Sequence, residues 1–101
     1  MHKGDRMATS KEFRDFVLDQ LRLVDGITCK PMMGEYLLYR NGKLFGCIYD
    51  ARLLVKKTPT NKAYNLPEEI PYDSAKPMYM IEDIDDAQTV RDIVLATVGG
   101  E

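Results

Sequence analysis

A single histidine, His2, and two cysteines, Cys29 and Cys47, are the only imidazole and thiols in this 101-residue chain. A nucleophile needs a base within reach. The one histidine lies in the N-terminal tail, so no serine or cysteine of the folded region has an imidazole to serve it. A structural zinc site needs about four ligands, and the chain does not supply them. The cysteines are too far apart for a CxxC motif and too few for a disulfide framework. They are expected to be reduced, unbridged thiols of a cytoplasmic protein. No apolar run approaches the roughly 18 residues of a helical membrane span. Met1 to Thr9 lacks the apolar stretch of a secretory signal, and no GxGxxG or Walker pattern occurs. These absences point away from an enzyme, a cofactor and a metal.

Hydrophobic residues make up 45% of the chain and charged residues 30%, a balance that fits one ordinary globular domain. Residues 1–8 read as a disordered polar tail, with Met7 an alternative start, and residues 9–101 as a single domain. Net charge is −2 but uneven. Residues 1–66 carry 12 cations against 7 acids, and residues 67–101 carry 2 against 9. Two solvated faces of one fold would produce this, and so would complementary surfaces that meet between molecules.

Phe13, Phe16, Val17, Leu21 and Val24 recur at helical steps. Thr9 to Glu12 fits a capping box, and Asp25-Gly26 a helix stop. Ile27 to Met33 reads as a strand that Pro31 restricts to an edge or bulge, and Gly34 as a bend. Asn41-Gly42, between Glu35–Arg40 and Lys43–Tyr49, is a strong two-residue hairpin signal. Asp50-Ala51 is a less well coded turn before Arg52 to Lys57. Thr58 to Leu66 is expected to be a short helix entered through Pro59. A proline-rich loop follows, then a strand over Met78 to Glu82. The last helix spans Asp85 to Val98, capped by Asp85 or Asp86, with Val90, Ile93, Val94 and Val98 on its apolar side. The acidic run Glu82, Asp83, Asp85 and Asp86 suits a helix start and lacks the EF-hand spacing. Glu35 and Asp50 are lone acids near turns.

The order α-β-β-β-β-α-β-α predicts an α+β two-layer sandwich, an antiparallel sheet with the N- and C-terminal helices on one face. Unbroken two-residue turns would put Leu37, Tyr39, Leu44, Gly46, Ile48, Leu53 and Val55 under the helices, with Gly46 admitting a helix closely. The other face would carry Tyr36, Leu38, Arg40, Lys43, Phe45, Cys47, Tyr49, Arg52, Leu54 and Lys56. Its apolar centre inside a cationic rim is ordinary interface anatomy, most simply that of a homodimer or another protein contact. The same face could stack and neutralise nucleic acid, or lie beneath the proline-rich loop of its own chain. No small-molecule substrate or membrane partner is evident.

Lys30-Pro31-Met32-Met33-Gly34-Glu35-Tyr36, then Tyr39-Arg40-Asn41-Gly42-Lys43-Leu44-Phe45 and Leu53-Leu54-Val55-Lys56, resembles the N-terminal domains of the TfoX/Sxy competence-regulator family. The similarity runs from about Ser10 to Val98 and includes Lys76-Pro77-Met78. The chain departs from the usual pattern at Met33 and Glu35. The resemblance implies a secretion-chaperone-like α+β fold and a link to regulation of DNA-uptake competence genes. It supplies no catalytic residues. The full-length regulators carry a second, C-terminal domain, and this chain is expected to be a stand-alone member. The function expected is that of a non-catalytic regulatory or adaptor domain acting through protein contacts.

Overall fold

A computed structural model describes residues 9–72 and 75–100; the expected N-terminal tail lies outside the described residues. The first helix, α1, spans Lys11–Gln20. Its cap is Ser10, whose side chain accepts from the Phe13 N–H at 3.0 Å, one residue later than the expected Thr9. Helical geometry stops at Gln20, but tighter turns follow, with Val24 N–H donating to the Leu21 carbonyl at 2.9 Å. Leu21 and Val24 therefore still reach the core, and Gly26, with φ 77°, turns the chain into the sheet.

Four strands follow as a meander: β1 (Ile27–Met32), β2 (Glu35–Arg40), β3 (Lys43–Tyr49) and β4 (Arg52–Val55). Each connection is two residues long, and both residues of each have positive φ: Met33-Gly34, Asn41-Gly42 and Asp50-Ala51. That geometry matches the right-handed strand twist. Strand β1 is an edge. The Asn41 N–H donates to the Gly26 carbonyl at 2.9 Å, so the ladder bonds of β1 fall at even-numbered residues. Pro31, which has no N–H to donate, occupies an outward position where the ladder loses nothing.

The expected helix over Thr58 to Leu66 is only a short 3-10 turn, Lys62–Tyr64. Thr58 and Asn61 instead bond each other and fasten this connection to the last helix. Two short strands follow, β5 (Glu68–Glu69) and β6 (Met78–Met80); β5 had no signal in the sequence. Among the described residues the sheet has six antiparallel strands in the order β1-β2-β3-β4-β6-β5. The second helix, α2, spans Ala87–Gly99. Asp86 caps it, accepting from the Gln88 and Thr89 N–H groups and from the Thr89 hydroxyl. The Thr89 hydroxyl and N–H bonds hold the Asp86 carboxyl below its ordinary pKa.

Both helices pack on one face of the sheet, as the pattern predicts. Val17, Leu21, Val90, Ile93 and Val94 join Tyr36, Leu38, Phe45, Ile48, Leu53 and Val55 in one buried cluster. The membership corrects the expected faces. Arg40 pairs with Lys43 and Tyr39 with Leu44, but Leu38 then pairs with Gly46. Phe45 is the extra residue of a β-bulge and turns toward the helices. From Leu38 back, β2 is therefore flipped relative to an unbroken hairpin. Tyr36, Leu38 and Phe45 lie in the core, while Leu37 and Leu44 line the opposite face.

Gly46 is required by the bulge. A Cβ there would run into the Leu54 carbonyl oxygen and stand 3.2 Å from the Val55 Cα. The close neighbour is thus the backbone of β4, not a helix. No helix among the described residues is long and apolar enough to cross a membrane.

Candidate functional site

The face away from the helices is built from alternate positions of five paired strands, β1, β2, β3, β4 and β6. The register places Lys30, Leu37, Cys47, Leu54 and Met80 in one row, and Met32, Glu35, Tyr49 and Arg52 in the next on that face. Residues Pro71, Tyr72, Ala75, Lys76 and Pro77 rise beside it, leaving a groove of about 1070 Å³. Leu37, Leu44, Cys47 and Met78 are among its lining side chains. The Tyr49 and Tyr72 rings, with centroids 6.3 Å apart, close one side. The described residues of the proline-rich loop thus border the outer face without filling it. Met32, Met33 and Tyr72 on the groove lip are exposed, Met33 most of all at 91%.

The residues assigned to this face from the sequence are divided by the bulge. Tyr36, Leu38 and Phe45 are buried beneath the helices, and the Arg14 guanidinium lies 5.2 Å over the Tyr36 ring. Arg40 sits at the far turn, its Nη2 2.7 Å from Asp25 Oδ1. That bond holds the Asp25 carboxyl below the ordinary carboxylate range. Lys43, its strand partner, is exposed. Tyr49 and Lys56 do line the groove. Leu54 is buried on the groove side, between Cys47 and Met80 in register. Arg52 stands 3.6 Å from both Asp50 and Glu69. Leu37, Leu44, Met32, Met33, Tyr72, Lys76 and Met78 were not read as parts of this site. Gly46 was the one signal for the bulge that turns Leu37 and Leu44 outward.

Glu35, at one end of the groove, is buried and structural. Its Oε1 accepts from the Thr9 hydroxyl at 2.8 Å and from the Asp50 N–H at 3.1 Å. The Thr9 Oγ1 in turn accepts from the Ala51 N–H at 3.2 Å. Both amides of the Asp50-Ala51 turn are thereby fixed. This offsets the cost of two positive-φ residues without glycine, and it ties the start of α1 to the far side of the meander.

Cys29 and Cys47 lie on opposite faces, because Cys29 shares its row with Leu38 and Gly46, and Cys47 with Leu37. With β2 between them they are about 10 Å apart, two strand spacings, beyond disulfide reach. Cys47 Sγ approaches Met78 Sδ at 4.0 Å. Burial, with the Glu35 carboxylate adding to it, pushes the Cys47 thiol up to about 11. Burial also raises Cys29. Free-thiol titration of the unfolded chain is expected to give two thiols with or without prior reductant; a gain of two after reductant would contradict the geometry. In the folded protein, alkylation of Cys47 is expected to rise steeply between pH 9 and 11. An unfolded thiol ionises near ~8.5, so above that pH the unfolded chain holds fewer protons and stability falls as pH rises toward 11.

Fold and groove together define an α+β two-layer domain with an apolar cleft on its uncovered sheet face. Among the described residues no three His, Cys, Asp or Glu side chains are grouped to hold a metal. No family model matches the chain. Over 94 residues it is 32% identical to the uncharacterised 12.7 kDa protein in the trpE 5′ region of Spirochaeta aurantia, an alignment covering 90% of this chain and 82% of that protein. The chain belongs to the family of that Spirochaeta protein.

Proposed function

We propose that this chain is a non-catalytic regulatory or adaptor domain of the TfoX/Sxy N-terminal type, working in the cytoplasm through protein contacts on its outer sheet face. A homodimer is the simplest assembly. The observation that carries this reading is the apolar lip of the groove. Met32, Met33 and Tyr72 are large, exposed and adjacent to one cleft, and a clustered apolar surface of this kind marks an interaction site. Methionine suits such a surface, because its flexible, polarizable side chain adapts to different partners. The resemblance to the competence regulators supports the regulatory part of the proposal. The segments that carry it supply two of the three tight turns and much of the cleft.

The nucleic-acid alternative relied on Tyr36, Phe45 and Tyr49 sharing one face. Tyr36 and Phe45 are instead in the core, which removes two of its three stacking rings.

Met33→Asp tests the protein-contact reading. Aspartate tolerates the left-handed conformation of this turn position better than methionine, so the fold is expected to keep its stability. A carboxylate at the centre of the lip would be desolvated only in the assembled state. Sedimentation is expected to show a wild-type dimer and a monomeric, fully folded variant. A wild-type monomer at high concentration that also leaves a mixed oligonucleotide unbound would sink both readings.

A further inference from the structure

We infer that Cys47 and Met78 form a binding site for a soft monovalent metal ion, copper(I) in chemical class, held between a thiolate and a thioether. This goes beyond the protein-contact reading, which rests on the lip of the groove and not on its sulfur atoms. Cys47 lies on β3 and Met78 on β6, and β4 runs between those strands. The Cys47 Sγ and the Met78 Sδ nevertheless meet across it at 4.0 Å. That spacing suits one shared ion. Two metal–sulfur bonds of about 2.3 Å, opened to a trigonal angle of about 120°, hold their sulfurs about 4.0 Å apart. The sulfur supply at this place is not confined to the pair. Met32 and Met33 line the same groove, so three of the four methionines among the described residues border it, together with Cys47. Thiolate and thioether are soft donors, and copper(I) is the ion that accepts both. Structural zinc takes four ligands from thiolate, imidazole and carboxylate, and the pair offers one thiolate. Cys47 is half-buried, with Leu37 on one side in register and the buried Leu54 on the other. A bare thiolate is costly in such a place. A monovalent ion takes the position of the thiol proton, so binding leaves the charge there unchanged. The metal bonds to Sγ, the thiol proton leaves to water, and Met78 Sδ donates a lone pair, with no change of oxidation state.

The parent for the experiment is Cys29→Ser, in which Cys47 is the one thiol left. Copper(I), kept under anaerobic conditions, silver(I) and zinc(II) are each titrated against a competing chelator. Native mass spectrometry gives the stoichiometry, and thermal melts confirm that each variant is folded. The parent is expected to bind one copper(I) or silver(I) per chain, with release of one proton, and to hold zinc(II) far more weakly. Met78→Leu keeps the apolar volume and is expected to weaken copper(I) and silver(I) by about tenfold or more, the scale on which even outer-shell partners act. The reciprocal protein, Cys47→Ser with Cys29 retained, reports what a thiol on the opposite face of the sheet binds, and it should be weaker by a similar factor. The X-ray absorption spectrum of the parent's copper(I) complex should show at least two sulfur neighbours per ion, a readout that needs no change at Met78. Equal affinity of Met78→Leu and its parent, equal affinity of the two single-thiol proteins, or a single sulfur neighbour would overturn the inference and leave the 4.0 Å approach as packing alone. Zinc(II) bound as tightly as copper(I) would overturn it too. The association behaviour of Met33→Asp is read separately, so either reading can fail without the other.

Discussion

Replacing Phe45 by alanine is expected to cost about 3–5 kcal/mol, the range for truncating a buried phenylalanine. Phe45 is fully buried and belongs to the cluster that both helices complete. For a domain of this size each kcal/mol moves the midpoint by about 4–8 °C, so the variant should melt at least 10 °C lower or fail to fold. Leu44→Ala, one residue earlier, is the informative companion. Leu44 is half-buried on the groove side, and its truncation should cost well under half as much. An unbroken hairpin makes the opposite prediction, with Leu44 under the helices and Phe45 in the open. Denaturant melts of the two variants decide between them. A larger loss for Leu44→Ala would refute the bulge.

Asn61→Ala should be nearly as damaging, although it removes no apolar contact of note. Asn61 is fully buried in the connection after β4. Its Oδ1 accepts from the Thr58 N–H at 2.9 Å. Its Nδ2 donates to the Lys56 carbonyl and to Thr97 Oγ1, both at 2.8 Å. Thr97, on α2, passes its own hydroxyl proton to the Ile93 carbonyl at 2.8 Å. Alanine would leave three groups unanswered, each at a cost of about 1–3 kcal/mol. Partial relaxation toward water brings the expected loss to about 3 kcal/mol. Asn61→Asp should be no better, since a carboxylate keeps the acceptor for Thr58 but sets an anion against the Lys56 carbonyl. Equilibrium unfolding of the two variants measures this, and a loss below about 1 kcal/mol for both would mean the bonds carry little.

The elements with strong local chemistry were legible before any coordinates. The apolar steps of the first helix, the Asn41-Gly42 turn and an Asp85 or Asp86 cap each act through a few neighbouring residues: Val17 and Leu21 reach the core, the turn sits where its chemistry puts it and Asp86 is the cap, although Phe16 is exposed and the helix stops at Gln20. The faces of β2 and β3 were not legible, for a physical reason. The core covers one side of the meander and the groove and its loop partly cover the other. Tyr36 to Tyr39 and Leu44 to Ile48 are therefore apolar on both sides, and alternation loses its meaning. Only Gly46 marked the break. A glycine inside a strand signals either a bulge or a close approach, and here it signals both, since the bulge is what brings β4 onto it. The groove's other wall was out of reach because residues 71–77 have no periodicity. Glu35 was misread as an isolated acid because its partners, Thr9 and Asp50, are distant in the chain.

The position of Pro31 has a consequence for how anything can join this sheet. An incoming strand at β1 would meet outward N–H groups at Ile27 and Cys29 but none at Pro31, so the added ladder would break within three residues. The opposite edge, β5, is two residues long and carries two adjacent carboxylates, Glu68 and Glu69. Short, charged or proline-interrupted edges resist templated strand addition. Backbone-to-backbone extension, the route to runaway polymerisation, is therefore discouraged at both ends of the sheet. What remains open is the broad surface, where recognition must be read through side chains and is selective for the shape and chemistry of what arrives.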